Sequence, residues 1–267
     1  MCRFIAYQGV PIALETLVSL PAHSLIHQST GSRQAVTSQH CDGFGLGWYG
    51  SLPRPETYHN AGPIGASPGV RSLCHLTRSA SFFAHIRSAT GTDVAKTNCH
   101  PFSHGRMLFM HNGQISHWTA LRPSVEALLP TALHRFRRGT TDSEAIFLSA
   151  IADGLEDDPV AAMQSTLARL KNVARAEGYA GSLRFSAALT DGDTLWAFRW
   201  ACDGCAPTLY FRAGPNDIVV ASEPTDPLSH DWNEIPVSSC LVARRGGDIH
   251  MLTLQPAMPV TSCQLAS

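Results

Sequence analysis

Short apolar and aromatic runs, each closed by a turn signal, fill the first part of the chain. They are typical of β-strands, and they lie at residues 2–7, 44–49, 81–86 and 107–111. The first run begins at the second residue, so the start of the chain is itself predicted to be a strand. Residues 50–70 are rich in Gly, Pro and Ser and are predicted to form a loop.

Helical periodicity replaces these runs in the middle of the chain. The sequence Thr-Asp-Ser-Glu from Thr141 has the spacing of a capping box, and the mostly apolar residues after it predict a buried helix. A second, amphipathic helix is predicted from apolar residues at spacings of three and four, and it should end near Gly178. These residues are Val160, Met163, Leu167, Leu170 and Val173.

The last third returns to strand patterns, at residues 183–189, 194–200, 208–212, 217–221, 239–243 and 248–254. Strands followed by helices and again by strands favour segregated layers and an α+β fold. Two antiparallel sheets packed between helices satisfy this order, and other α+β arrangements satisfy it as well. With 44% hydrophobic and 15% charged residues in 267, the chain is expected to form one packed domain over residues 1–267.

The charge balance narrows the classes of partner. A formal net charge of -1 provides neither a basic field for a phosphate backbone nor a polybasic segment for a membrane surface. Residues 1–20 lack the continuous apolar core of a signal peptide, and no run reaches the roughly 20 apolar residues of a membrane span. We therefore expect a cytoplasmic protein with a small-molecule partner, which binds neither nucleic acid nor membrane.

Eight cysteines are scattered through the sequence without an export signal, so free thiols are expected rather than disulfides. Cys202 and Cys205 have CxxC spacing, but no second pair accompanies them at the spacing of a zinc site. The Asp-Gly between them is typical of a hairpin turn. We expect no metal and no other cofactor.

Cys2 is the first candidate for a catalytic residue. If Met1 is removed, the freed α-amine, with a pKa of roughly 8, stands next to a thiol whose pKa is ordinarily about 8.5. Nucleophile and base then belong to one residue. The position alone is weak support, because many proteins have a small residue after the initiator Met by chance.

Further candidates carry polar groups at the ends of predicted elements. Arg87 ends an apolar strand and has the planar fork that binds a carboxylate, although a solvent-exposed Arg is the common alternative. Asn112 and Gly113 form a strong hairpin signal, and such a turn can also aim an amide and a backbone N–H at one oxyanion. Asp142 either complements the dipole of its helix or holds an ammonium group. Nearby histidines are expected to be structural, namely His23, His27, His85, His100 and His111.

Taken in order, the motifs resemble those of class II glutamine amidotransferases. They are Cys2, His85-Ile86-Arg87 with Thr90, Asn98 with His100-Pro101, His111-Asn112-Gly113 and Thr141-Asp142-Ser143-Glu144. Finer features resemble a branch that includes the ergothioneine-pathway γ-glutamyl amidase and the amidotransferase-like subunit of the yeast glutathione-degradation complex. These features are Pro21-Ala22-His23-Ser24, Gln28-Ser29, Asp42-Gly43-Phe44-Gly45, Asn98-Cys99-His100-Pro101-Phe102 and Ala221-Ser222-Glu223-Pro224.

The resemblance implies a four-layer αββα N-terminal-nucleophile sandwich of two antiparallel sheets. It also implies that Cys2 attacks a γ-glutamyl amide and forms a thioester, with its own freed amine as the base. Asn112 and Gly113 would then form the oxyanion hole.

The same resemblance assigns substrate binding to three residues. Arg87 would hold the α-carboxylate of a small-molecule γ-glutamyl substrate, Asp142 would hold its α-ammonium, and Thr90 would line the pocket. Two alternatives remain. One is an N-terminal-cysteine acylase acting on other amides, and the other is an ammonia-donating or glutamine-sensing subunit that works with a protein partner.

Overall fold

The computed structural model describes residues 2–34, 39–89, 91–179, 183–226 and 230–255. Within these ranges it contains 13 strands and seven α-helices. The strands are β1 (Arg3–Ala13), β2 (Phe44–Trp48), β3 (Glu56–Asn60), β4 (Arg78–Ile86), β5 (Phe102–His104), β6 (Met107–Ile115), β7 (Leu183–Thr190), β8 (Thr194–Ala201), β9 (Tyr210–Ala213), β10 (Ile218–Ala221), β11 (Asn233–Glu234), β12 (Ser239–Arg244) and β13 (Ile249–Thr253). The helices are α1 (Glu15–Val18), α2 (Leu25–Gly31), α3 (Val70–Leu76), α4 (Trp118–Glu126), α5 (Thr131–His134), α6 (Asp142–Ala152) and α7 (Pro159–Ala176).

The strands form two antiparallel sheets. The first sheet has seven strands in the order β11-β9-β10-β1-β4-β2-β3, and the second has six in the order β13-β12-β8-β7-β6-β5. β1 lies between β10 and β4, and β6 lies between β5 and β7. The two strands closest to the predicted chemistry are therefore hydrogen-bonded on both sides.

Three apolar clusters separate four layers. The cluster between the sheets contains Phe4 and Phe83 from the first sheet and Leu108, Met110 and Leu241 from the second. Another cluster packs α1, α2 and α3 against the outer face of the first sheet. The third packs α4, α6 and α7 against the outer face of the second sheet. The fold is an αββα sandwich, which confirms the prediction.

Both predicted helices are present. Thr141 is the N-cap of α6, and its hydroxyl oxygen accepts a hydrogen bond from the N–H of Glu144 at 3.2 Å. The carboxylate of Glu144 does not reach back to complete a capping box. It accepts hydrogen bonds from the N–H groups of Arg138 and Gly139 and pairs with Arg137. α6 is buried along most of its length, and α7 buries one face, as predicted.

Three predictions of turns and loops are wrong. Asn112 and Gly113 lie inside β6, because pairing with β7 along the whole strand outweighs the local turn preference. Residues 50–70 include β3, which pairs with every residue of β2. The turn at Cys202 and Cys205 joins β8 of the second sheet to β9 of the first, so it cannot be a hairpin.

The cysteines, the possible metal ligands and the helix lengths can be compared with the predictions about cofactors and partners. The described cysteines are all free. Across the described ranges, no group of three or more His, Cys, Asp or Glu side chains could hold a metal ion. None of the helices in these ranges has the length and apolar character needed to span a bilayer.

Candidate active site

The pairing of β1 with β4 places Cys2 beside Arg87. Arg3 faces Ile86 in this antiparallel ladder, so one step further along Cys2 stands opposite Arg87. Side chains alternate between the two faces of a strand. Phe4 belongs to the cluster between the sheets, and the same alternation turns the side chain of Cys2 toward the second sheet.

One cavity of about 380 Å³ brings most of the predicted site residues together. Cys2, Arg87, Gly113 and Asp142 line it. Its volume lies within the range typical of small-molecule sites. Thr90, also predicted to line the pocket, lies outside the described residues.

Burial and a backbone hydrogen bond both act on the thiol of Cys2. Its Sγ lies 3.8 Å from the carbonyl oxygen of Ser88, to which it donates. Burial raises the pKa of the Cys2 thiol, although the positive charges of Arg87 and Arg3 oppose this effect. A thiol is a weak nucleophile compared with a thiolate, so catalysis by Cys2 requires a nearby base.

The guanidinium of Arg87 is buried on the cavity wall, with only 3% of the residue exposed. It donates to the carbonyl oxygen of Asp42 at 3.2 Å and to Oγ1 of Thr92 at 2.6 Å. No carboxylate in the described part of the chain forms an ion pair with it. Because burial of an uncompensated charge is costly, this group is well placed to receive an anion from the cavity.

The side-chain amide of Asn112 is fully buried, and neither its oxygen nor its nitrogen has a hydrogen-bond partner among the described residues. An unpaired buried polar group costs roughly 1–3 kcal/mol. Asn112 does not line the cavity. By strand alternation it shares the inter-sheet face of Leu108 and Met110, toward the sheet that carries Cys2.

Gly113 is required by the close approach of β7. A Cβ at this position would overlap the carbonyl oxygen of Arg184 and lie 2.5 Å from Nε2 of His111. Its φ of 155° also lies in a region that other residues rarely adopt. Packing alone therefore demands glycine here, and Gly113 also lines the cavity.

Asp142 joins the start of α6 to the end of β6. Its Oδ2 accepts a hydrogen bond from the N–H of Ile115 at 2.8 Å, and its Oδ1 accepts one from the N–H of Ser143 at 2.7 Å. The hydroxyl of Ser143 lies 2.9 Å from Nδ1 of His111. These contacts fix the carboxylate at the positive end of the helix, and its remaining lone pairs can accept an ammonium group.

Buried histidines lie close to the cavity. The ring centroids of His85 and His100 are 4.2 Å apart, and burial lowers the pKa of His85 to about 3 and that of His100 well below its ordinary value. The structural prediction agrees with His111, whose ring contacts Ser143 and the carbonyl of Arg184. The ring of His100 packs against His85 and Phe102, while its two nitrogens have no hydrogen-bond partner in the described ranges.

The wall formed by residues 114–120 was not predicted. His117 precedes α4 in a left-handed conformation with φ of 58°, and its ring stacks on Tyr179 with centroids 4.7 Å apart. Trp118 donates from Nε1 to the carbonyl oxygen of Thr140 at 2.8 Å. No side chain caps α4, so the usual start signal is missing from the sequence.

Comparison with known proteins shows the family of this chain. The family model "Glutamine amidotransferases class-II" matches residues 15–205, well over half of the chain. The chain belongs to the class II glutamine amidotransferases. The matched span begins after Cys2 and includes the other described candidates, Arg87, Asn112, Gly113 and Asp142.

Individual class II relatives resemble this amidotransferase over most of their length. "Probable glutamine amidotransferase DUG3" of Saccharomyces cerevisiae is 30% identical, over 92% of this chain and 82% of that protein. "Gamma-glutamyl-hercynylcysteine sulfoxide hydrolase" of Mycolicibacterium smegmatis is 27% identical, over 88% of this chain and 92% of that protein. The solved structure of a glutamine aminotransferase class-II domain protein from Silicibacter pomeroyi is 33% identical with a TM-score of 0.77, covering 96% of this chain and 100% of that one.

Proposed function

We propose that this class II glutamine amidotransferase hydrolyses a γ-glutamyl amide, with Cys2 as the nucleophile once Met1 has been removed. The observation that carries the proposal is that Cys2, Arg87, Gly113 and Asp142 line one and the same cavity. A relative from M. smegmatis is named as a hydrolase of a γ-glutamyl compound, which supports water as the acceptor.

Binding uses the two charged groups of the cavity wall. The guanidinium of Arg87 forms paired hydrogen bonds with the α-carboxylate of the glutamyl group. The carboxylate of Asp142 accepts hydrogen bonds from its α-ammonium. Held at both α-substituents, the substrate extends its γ-amide toward Cys2.

The freed α-amine of Cys2 takes the proton of the thiol as the sulfur attacks the γ-carbonyl carbon. The resulting oxyanion accepts hydrogen bonds from the backbone N–H of Gly113 on the cavity wall and, as the sulfur attacks, from the amide of Asn112, which is buried without a partner on the face toward the sheet of Cys2. The tetrahedral intermediate collapses, the C–N bond breaks, and the ammonium of Cys2 returns its proton to the leaving amine. Water, deprotonated by the same amine, then hydrolyses the thioester and releases glutamate.

The direct test is to incubate the purified protein alone with glutamine, glutathione and other γ-glutamyl compounds and to measure glutamate release. Intact mass should show that Met1 is absent. A diazo-ketone analogue of glutamine should label Cys2 alone among the eight cysteines. Labelling at another cysteine, or full activity in a form that retains Met1, contradicts the mechanism.

A second candidate function is an ammonia-donating subunit that works with a protein partner. The 30% identity to a protein named as a glutamine amidotransferase supports it. The two functions differ in substrate preference, because an ammonia donor must use glutamine itself. If the protein alone cleaves no larger γ-glutamyl amide, the ammonia donor is favoured over the hydrolase.

Substitution Arg87→Lys is expected to raise KM for γ-glutamyl substrates because an ammonium cannot form the paired contacts of a guanidinium. We expect a rise of about 10–100-fold, corresponding to roughly 1.5–3 kcal/mol for a hydrogen bond to a charged group. Steady-state kinetics on the best substrate measure it. The matched control is Arg199→Lys, which changes another buried Arg, paired with Glu234 and absent from the cavity wall. Equal effects of the two substitutions would remove Arg87 from the binding site.

A further inference from the structure

Arg3 directly follows Cys2 and points to the opposite face of β1. It is 0% exposed, in the layer between the first sheet and its helices. Its Nε donates to Oγ of Ser32 at 3.0 Å and lies 3.4 Å from Oε2 of Glu223. Its two terminal nitrogens have no partner within the described ranges. Glu223 is therefore the carboxylate that balances this buried charge.

Glu223 lies in the segment after β10 and holds the two ends of α2 in place. Its Oε1 lies 2.6 Å from Nε2 of His23 and accepts from the N–H of Arg33 at 2.9 Å. Its Oε2 accepts from the hydroxyl of Ser32 at 2.8 Å and from the N–H of Gln34 at 3.0 Å. The residue is 2% exposed, so these contacts satisfy a buried carboxylate.

The neighbouring residue fixes β1 directly. The N–H of Phe4 donates to Oγ of Ser222 at 2.7 Å, and the N–H of Ser222 donates to the carbonyl oxygen of Phe4 at 3.1 Å. Ser222 thus holds the backbone of Phe4, two residues from Cys2. Glu223 holds the side chain of Arg3, the residue that lies between Cys2 and Phe4 in the sequence. Neither Ser222 nor Glu223 lines the cavity.

We propose that Glu223 is a positioning residue for Cys2 and that Glu223 acts through Arg3. It fixes the start of β1, and it neutralises a positive charge beside the nucleophile. This inference rests on the role of Cys2 in the proposed function. It also gives a purpose to Ala221-Ser222-Glu223-Pro224, a motif that the cavity does not use.

The charges around Cys2 determine the direction in which its pKa values should shift when Glu223 is replaced. Besides the amino terminus of the chain, the titratable groups that interact with Cys2, Arg3 or Glu223 are Arg87 after β4, His40 before β2, Cys99 before β5, Tyr210 on β9 and His23 before α2. His40 cannot compensate for a change at Glu223, because burial and the charge of Arg3 lower its pKa to about 4 and keep it neutral.

Without the carboxylate of Glu223, the charge of Arg3 acts on Cys2 unopposed. A positive charge stabilises a thiolate and destabilises an ammonium, so the pKa of the thiol and that of the freed α-amine both fall. Deprotonation of either group then occurs at lower pH. In Glu223→Gln, which keeps the shape but not the charge, we expect a downward shift of about 0.5–1 unit.

The test measures the rate of Cys2 alkylation by iodoacetamide against pH, with mass spectrometry of the labelled peptide. The midpoint should move to lower pH in Glu223→Gln and stay in place in Glu223→Asp, which retains the charge. The acid limb of kcat/KM should move with it. The control is Asp153→Asn, which removes a partly buried carboxylate paired with Arg169 between α6 and α7.

A midpoint that stays in place or rises in folded Glu223→Gln overturns the proposal, as does an equal shift in Asp153→Asn. Should Glu223→Gln fail to fold, Arg3→Gln provides the test with the opposite sign, since it leaves the carboxylate unopposed and must raise the midpoint. Alkylation needs no substrate. Absence of γ-glutamyl hydrolysis in the wild type would therefore refute the proposed function and still leave this inference decided by the alkylation midpoints.

Discussion

Cys2→Ala is expected to lower kcat/KM for γ-glutamyl amide hydrolysis by at least about 10⁴-fold, as loss of a catalytic nucleophile does in other acyl-transfer enzymes. The cavity keeps Arg87, Gly113 and Asp142, so substrate still binds, but no thioester forms. Cys2→Ser should also be strongly impaired, because a hydroxyl is far less acidic than a thiol and is the weaker nucleophile in a site that holds sulfur. Glutamate release measures the loss, and substrate binding by calorimetry shows that the site survives.

The matched control is Cys202→Ala. Cys202 is also a free cysteine, but it is exposed and lies in the turn that joins the two sheets. Its removal should leave kcat/KM unchanged. Retention of more than about a hundredth of wild-type activity in Cys2→Ala would be incompatible with covalent catalysis by this residue.

Asn112→Leu is expected to lower kcat by about 10²–10³-fold, the usual effect of removing one oxyanion donor, with little change in KM. It should not lower the free energy of unfolding. The amide of Asn112 is buried without a partner, and leucine of similar shape removes that cost of roughly 1–3 kcal/mol. Steady-state kinetics and urea unfolding test the two parts.

Asn98→Leu provides the contrast for stability. Its amide is also buried, but it donates to the carbonyl oxygen of Asp93 and accepts from the N–H of Thr140 at 2.7 Å. The leucine leaves that N–H unpaired, so this variant should unfold at lower urea concentration. If Asn112→Leu is destabilised as much as Asn98→Leu, the amide of Asn112 has a structural role and the assignment to the oxyanion hole is wrong.

The sequence predicted those parts of the fold whose cause is local. Thr141 caps α6 by accepting a hydrogen bond from Glu144, only three residues later in the sequence. The strands in the last third of the chain follow from runs of apolar residues. β6 shows where this reasoning fails. The Asn-Gly pair favours a turn locally, but β7, about 70 residues later, continues the ladder through both residues.

The candidate site likewise contains residues that the local sequence predicts and contacts that it does not predict. Cys2, Arg87 and Asp142 could be selected from their positions at the ends of predicted elements. The contact of Arg3 with Glu223 joins residues 220 positions apart, and no local pattern indicates it. The wall formed by residues 114–120 was missed because the left-handed conformation of His117 depends on packing rather than on a glycine or a cap.

The division of the site between two sheets has a consequence for biosynthesis. The first sheet provides Cys2 and Arg87, whereas β6 of the second provides Asn112 and Gly113. β1 is translated before every other described strand, yet one of its neighbours, β10, begins only at Ile218. The ribosome must therefore complete most of this domain before β1 can be paired on both sides. A nascent chain arrested earlier carries Cys2 on a strand that lacks one of its two neighbours.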